Sequence, residues 1–263
     1  MISERLPNIR GLIIDMDGVL WHDHEPLGDL PAIFSQLHDY GYKVILATNN
    51  NTRNIDDYHN KLRGFGVQLE EWQIINAAQA VGRYLQEKYP EGARVYVVGE
   101  ASLKKTLSDY GMRVVSDDVL DADVVVASLD YGLTYEKLKR ASLMIQSGSD
   151  FIGTNPDVTL PTPVGLIPGA GTVIGALEIA SGKKAKIIGK PEPALYEMAL
   201  GRLNLCADDT LAIGDRLETD ILGAQAAGIH TALVLSGAST DADLRDFHPK
   251  PDIIAQDLTE LVF

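Results

Sequence analysis

The stretch Gly11-Leu-Ile-Ile-Asp-Met-Asp-Gly-Val-Leu20 decides how the rest of the chain is read. Leu12, Ile13 and Ile14 form an unbroken apolar run, which suits a strand buried on both faces of a parallel sheet. Two acids, Asp15 and Asp17, close the run, and Gly18 follows at once. Residues i and i+2 of an extended chain share a face, so both carboxylates are expected to project beyond the carboxyl end of the strand, where open α/β sheets bind ligands. Two carboxylates so placed repel each other unless a cation or a proton lies between them. Magnesium, which uses few protein carboxylates and keeps several waters, meets that need. A plain turn of strand-end acids with Gly18 explains an isolated Asp-x-Asp-Gly equally well, so the remainder of the chain has to decide.

Outward from this strand, short β-branched runs alternate with stretches of helical period, the pattern of a parallel sheet covered by helices. Strands are expected near 11–15, 43–48, 94–98, 123–127, 151–153, 186–188, 210–214, 231–235 and 253–255. Helices are expected over 30–40, 77–88, 135–147, 194–203 and 221–227, with Gly41, Gly111, Gly182 and Gly228 as C-terminal stops. The fold class is therefore α/β. Polar or glycine turns near 73–79 and 181–184 mark a break, which divides the chain into a core of residues 1–79 and 181–263 and an inserted α/β domain of residues 80–180.

Three further segments have polar groups at expected strand ends. Ala47-Thr48-Asn49-Asn50-Asn51-Thr52 offers a hydroxyl, amides and backbone N–H groups able to cradle phosphate oxygens, and equally suits a helix cap and Asx turn. In Ile188-Gly-Lys-Pro-Glu-Pro193, Lys190 at a strand end can bind a phosphate oxygen and offset the charge of an attacking carboxylate. Ala212-Ile-Gly-Asp-Arg-Leu-Glu-Thr-Asp220 puts Asp215 in position for a metal, whereas Asp220 either orients the site from behind or caps its helix.

In this order, with an insertion between the second and third, the four segments resemble the motifs of the haloacid dehalogenase-like hydrolase superfamily. The insertion point, Gly153-Thr-Asn-Pro-Asp-Val-Thr-Leu-Pro161 within the insertion, and Pro168-Gly-Ala-Gly171 narrow the resemblance to its NagD-like and nitrophenyl-phosphatase-like members. One departure is Asn51, where relatives commonly have serine. The resemblance implies a Rossmann-like core with a C2-type α/β cap, and a magnesium-dependent hydrolase of small phosphomonoesters such as sugar phosphates or nucleotides. It assigns Asp15 as the nucleophile that forms an aspartyl-phosphate and Asp17 as the proton donor and later the base. Magnesium would be held by Asp15, Asp215 and the main-chain carbonyl of Asp17, and the phosphate by Thr48, Asn49, Asn50 and Lys190. Asn155 and Asp157 stand open between substrate contacts of the cap and a structural turn. Caps of this kind contact one another in relatives, which leaves room for a homo-oligomer.

Composition narrows the partners. A net charge of −14 over 263 residues has the wrong sign for a nucleic-acid polymer. The single cysteine, Cys206, excludes an intramolecular disulfide and fits a reducing, cytoplasmic setting, and no apolar run approaches a membrane span. A signalling receiver also gathers acids, a threonine and a lysine around an aspartate, but it is far shorter and does not need an insertion of this size. A phosphate-binding protein without turnover is disfavoured because all four segments carry competent residues. Gly169-Ala-Gly-Thr-Val-Ile-Gly175 lacks dinucleotide-binding spacing and reads as the glycine-rich start of a helix.

Overall fold

The computed structural model describes residues 1–162 and 164–263. Its two main sheets use, in chain order, β1 (Gly11–Ile14), β2 (Lys43–Thr48), β3 (Ile74–Asn76), β4 (Arg94–Val98), β5 (Arg113–Val114), β6 (Val124–Ala127), β7 (Asp150–Gly153), β8 (Lys186–Ile187), β9 (Thr210–Gly214), β10 (His230–Val234) and β11 (Ile253–Ala255). The described residues fall into two compact units, one of 1–48, 55–75 and 190–263, the other of 49–54 and 76–189. The limits expected from sequence were 79/80 and 180/181.

The first unit is built on a six-stranded sheet in the order β3-β2-β1-β9-β10-β11. β1 pairs in parallel with both β2 and β9, and β9–β10 and β10–β11 are parallel as well. This is the Rossmann order, whose direction reverses between β1 and β9; such a reversal opens a crevice at the carboxyl ends of the two strands. Every residue of β1 and β9 is buried, as a sheet covered on both faces requires. Leu12, Ile14, Leu46, Leu211 and Ile213 join Ile33 and Leu37 of the helix Leu30–Asp39 in one core.

The second unit has its own five-stranded sheet, β8-β7-β6-β4-β5, parallel throughout. Val125, Ala127 and Phe151 pack with Met144 and Ile145 of the helix Tyr135–Gln146 and with Val173, Ile174 and Leu177 of the helix Ala170–Ser181. That second helix starts directly after Gly169 and ends at Gly182, whose φ of +71° is the left-handed conformation that glycine adopts at least cost.

Three differences from the sequence reading matter for the site. The strand at 186–187 is hydrogen-bonded to β7 in the second sheet and not to the core sheet; a two-residue apolar run does not encode which sheet it will join. The helix expected over 221–227 is regular only over Leu222–Ala226, with a π-helical turn at Leu217–Ile221 before it. The strand β3 and the helices Ile55–Gly64 and Ala101–Asp109 were not marked. Among the described residues no helix is long and apolar enough to cross a membrane.

Leu12, fully buried at the centre of the first sheet, and Ile179, 88 % exposed on the helix Ala170–Ser181, provide a stability contrast. Leu12→Ala should cost about 2–5 kcal/mol in denaturant unfolding and Ile179→Ala less than about 0.5 kcal/mol.

Candidate active site

Asp15 and Asp215 leave the carboxyl ends of the adjacent strands β1 and β9, one on each side of the reversal in strand order. The Asp15 N–H donates to Ile213 O at 2.9 Å, which carries the sheet pairing one residue into the site. Oxygens of Asp15, Asp215 and Asp220 lie within 4.8 Å of one another, the one group of this kind among the described residues. Asp220, rather than Asp17, thus supplies the third clustered carboxylate.

The Asp215 carboxylate has a tight seat. A Cβ at Gly18, where φ is +85°, would stand 2.5 Å from Asp215 Oδ2, and one at Gly237 would come closer still. The Ala238 N–H donates to Oδ2 at 2.7 Å, and the Ser239 N–H donates to the Asp215 carbonyl at 3.0 Å. Ser236 Oγ in turn donates to the Gly18 carbonyl at 2.8 Å, tying this loop to the turn after β1. Sequence reading did not mark Ser236–Ser239; its one signal was a run of small residues following a buried strand.

Lys190 is the first residue of the chain's return to the first unit, not the end of a core strand. Its buried ammonium donates to Asp15 Oδ1 at 2.5 Å, Asp220 Oδ1 at 2.6 Å and Ala47 O at 3.0 Å. Asp220 is turned towards it by the π-helical turn, in which the Ile221 N–H donates to Arg216 O at 3.1 Å. The Arg216 N–H donates to Asp220 Oδ2 at 3.1 Å, and the Tyr196 hydroxyl donates to the Asp220 carbonyl at 2.7 Å. Asp220, left open by the sequence, is therefore a member of the acidic cluster and the partner that orients Lys190.

Charge in this cluster is out of balance. Burial, which outweighs the opposing pull of Lys190, pushes the Asp15 carboxyl well above the usual carboxylate range, and the charges of Asp220 and Asp215 push the same way. Burial, with help from Asp220, pushes Asp215 up to about 7 against the Ala238 hydrogen bond. Burial works against the Lys190 ammonium too, yet Asp15 and Asp220 hold it well above the ordinary lysine value. One ammonium against three carboxylates, two of them buried and Asp15 nearly so, leaves negative charge that needs protons or a metal. An all-oxygen donor set of this kind fits a hard divalent cation such as magnesium.

Asp17 takes a different partner. Its Oδ1 accepts a hydrogen bond from the Trp21 indole Nε1–H at 2.8 Å, so the shared face predicted for positions i and i+2 does not bring its carboxyl into the cluster. β1 ends at Ile14, before both acids, and the chain already turns at Met16, whose carbonyl accepts from the Leu20 N–H at 2.9 Å, so the extended conformation on which that expectation relied is not kept.

Thr48 ends β2 and is buried. Asn49 and Asn50 open the segment 49–54, which belongs to the second unit. There Asn49 Nδ2 donates to Asp157 Oδ2 at 3.2 Å, and Asn155 Nδ2 donates to the Asn49 carbonyl at 2.9 Å. Asn50 Oδ1 accepts from the Thr52 N–H and hydroxyl at 3.1 and 2.7 Å, an Asx turn. Asn51 Oδ1 accepts from the Ala78 N–H at 2.7 Å, in the first turn of the helix Ala77–Lys88. Asn155 and Asp157 thus hold Asn49 in place.

Clustered acids paired with a buried lysine at the strand-order reversal of a Rossmann sheet fit a phosphoryl-handling protein. Residues 12–113 match the family model described as haloacid dehalogenase-like hydrolase, and residues 187–261 match a second model of HAD-like hydrolases. An acid sugar phosphatase of Staphylococcus aureus is 32 % identical over 253 residues, 96 % of each chain. NagD of E. coli superimposes with a TM-score of 0.87 at 30 % identity, covering 96 % of this chain and 98 % of that one. A glycerol phosphate phosphatase of Mycobacterium tuberculosis, solved in complex with magnesium, gives 0.90 at 33 %, covering 98 % and 77 %. The chain belongs to the NagD-like branch of the haloacid dehalogenase-like hydrolases, and it is a phosphatase.

Two measurements test this geometry. Gly237→Ala should displace the Asp215 carboxylate and lower kcat/KM on the order of a hundredfold while circular dichroism stays native. In protein stripped of divalent cations, Asp215 is protonated below about 7 and becomes a buried anion above it. Asp215→Asn should therefore unfold close to wild type at about pH 3.5, gain on it progressively as pH rises from about 4 towards 7, and keep a constant advantage above that.

Proposed function

We propose that this phosphatase hydrolyses small phosphorylated metabolites, such as sugar phosphates or nucleotides, with magnesium as cofactor and through an aspartyl-phosphate on Asp15. The observation that carries the reading is the contact of Lys190 with both Asp15 and Asp220 inside the acidic cluster. The names of the relatives support the substrate class, and the magnesium complex of the mycobacterial enzyme supports the cation.

Lys190 keeps Asp15 Oδ1 oriented and offsets its charge, leaving the second oxygen to approach phosphorus in line. As that oxygen–phosphorus bond forms, the ester P–O bond breaks and its electron pair passes to the leaving oxygen, which takes a proton from Asp17. Asp17, now a carboxylate, then removes a proton from the water that attacks the aspartyl-phosphate, which releases inorganic phosphate and restores Asp15. Thr48, Asn49 and Asn50 bind the transferring phosphoryl oxygens. Asp15, Asp215 and the Asp17 carbonyl would hold magnesium, which supplies Lewis-acid stabilisation of the phosphoryl charge. The second unit is assigned as the cap that reads the leaving group.

Asp15→Asn should lower steady phosphate release by more than about a thousandfold while phosphate analogues still bind; turnover near wild type would remove Asp15 as nucleophile. Chelation should abolish release and magnesium restore it. A screen of sugar phosphates, nucleotides and glycolytic intermediates then ranks the substrates, and stoichiometric labelling without turnover would favour a signalling receiver.

A further inference from the structure

Trp21 is buried completely, and its ring lies 5.9 Å from that of Phe65, an arrangement that packing alone would explain. The indole is also a donor without acceptor capacity, and its one N–H is directed to Asp17 Oδ1. The backbone sets this up. The Gly18 N–H donates to the Trp21 carbonyl at 2.9 Å, and residues 17 and 21 pair across the turn. The partly buried Lys61, on the helix Ile55–Gly64, places its ammonium 3.9 Å from the indole centroid. A cation over the ring face draws on the π density and polarises the N–H towards its acceptor.

We propose that Trp21 is the positioning residue of the proton donor, an inference that rests on the reading of Asp17 as general acid. The carbonyl oxygen of a carboxyl group accepts a hydrogen bond better than its hydroxyl oxygen, so the indole contact at Oδ1 favours the form that carries the transferable proton on Oδ2. Trp21 thereby selects which oxygen faces the leaving group. As the ester bond breaks, Oδ2–H passes its proton to the departing oxygen and the carboxyl becomes a carboxylate. The indole hydrogen bond turns charge-assisted in the same motion and strengthens. Stabilisation that grows along the reaction coordinate lowers the barrier, and it does so only for leaving groups that need the proton.

Trp21→Phe keeps the buried ring and the face presented to Lys61 but removes the donor. The readout is kcat/KM, which reports events up to transfer onto Asp15 and not the later hydrolysis. With a sugar or alkyl phosphate it should fall about ten- to hundredfold, and with nitrophenyl phosphate, whose leaving group needs little proton transfer, less than about threefold. In the Asp17→Asn/Trp21→Phe double variant the two losses should fail to add. Equal losses on both substrates, or full additivity, overturn the proposal. Asp17→Asn alone separates the two failures: selective loss there without selective loss in Trp21→Phe refutes only the role of Trp21, whereas unselective loss in Asp17→Asn refutes the acid assignment and Trp21 with it. Should Trp21→Phe not fold, Lys61→Met weakens the same donor from the half-buried side. It should show a selective loss of about two- to fivefold, and an unselective effect or none overturns the proposal.

Discussion

The ammonium of Lys190, held between Asp15 and Asp220, is the interaction on which the site depends. Burying an ammonium costs several kcal/mol unless its partners are well placed, and removing one partner from such a group leaves a charge stranded. The surrounding structure supplies that placement from several sides. The π-helical turn brings Asp220 round, Tyr196 and the Arg216 N–H fix it, and the Ala47 carbonyl takes a further lysine proton. Because Asp15 and Asp215 come from adjacent parallel strands, the Rossmann strand order itself sets their separation.

The excess negative charge is a functional condition as much as an energetic one. Three carboxylates face one ammonium, and the deficit that raises Asp15 and Asp215 above their ordinary values is the charge that the proposed cation would offset. Glycine at positions 18 and 237 belongs to the same solution, since any side chain there would occupy the volume of the Asp215 carboxylate. With the proposed cation in place, a protein of net charge −14 would attract a phosphate ester locally while repelling polyanions over its surface.

The core was legible where the code is local. Buried strands announce themselves as apolar runs, and acids at their ends are visible one residue later, so Asp15, Thr48 and Asp215 could be placed from sequence. Partners chosen by tertiary geometry were not. Asp220 stays open between orienting the site and capping its helix until the π-helical turn is known, and the contact of Trp21 with Asp17 is hidden because hydrogen-bond direction leaves no periodic trace. The strand at 186–187 was assigned to the wrong sheet for the same reason, and Ser236–Ser239 has no chemistry to display until the Asp215 carboxylate is seen to accept from the Ala238 N–H.

The hydrogen bonds from Asn155 to the Asn49 carbonyl and from Asn49 to Asp157 bear on how such a protein can be recombined. Residues 49–54 are far from 155–157 in sequence, yet they form one compact unit with them. The exchangeable module is therefore discontinuous. A chimera that imports residues 76–189 from a relative without its counterpart of 49–54 would join a turn and a loop that were never fitted to each other.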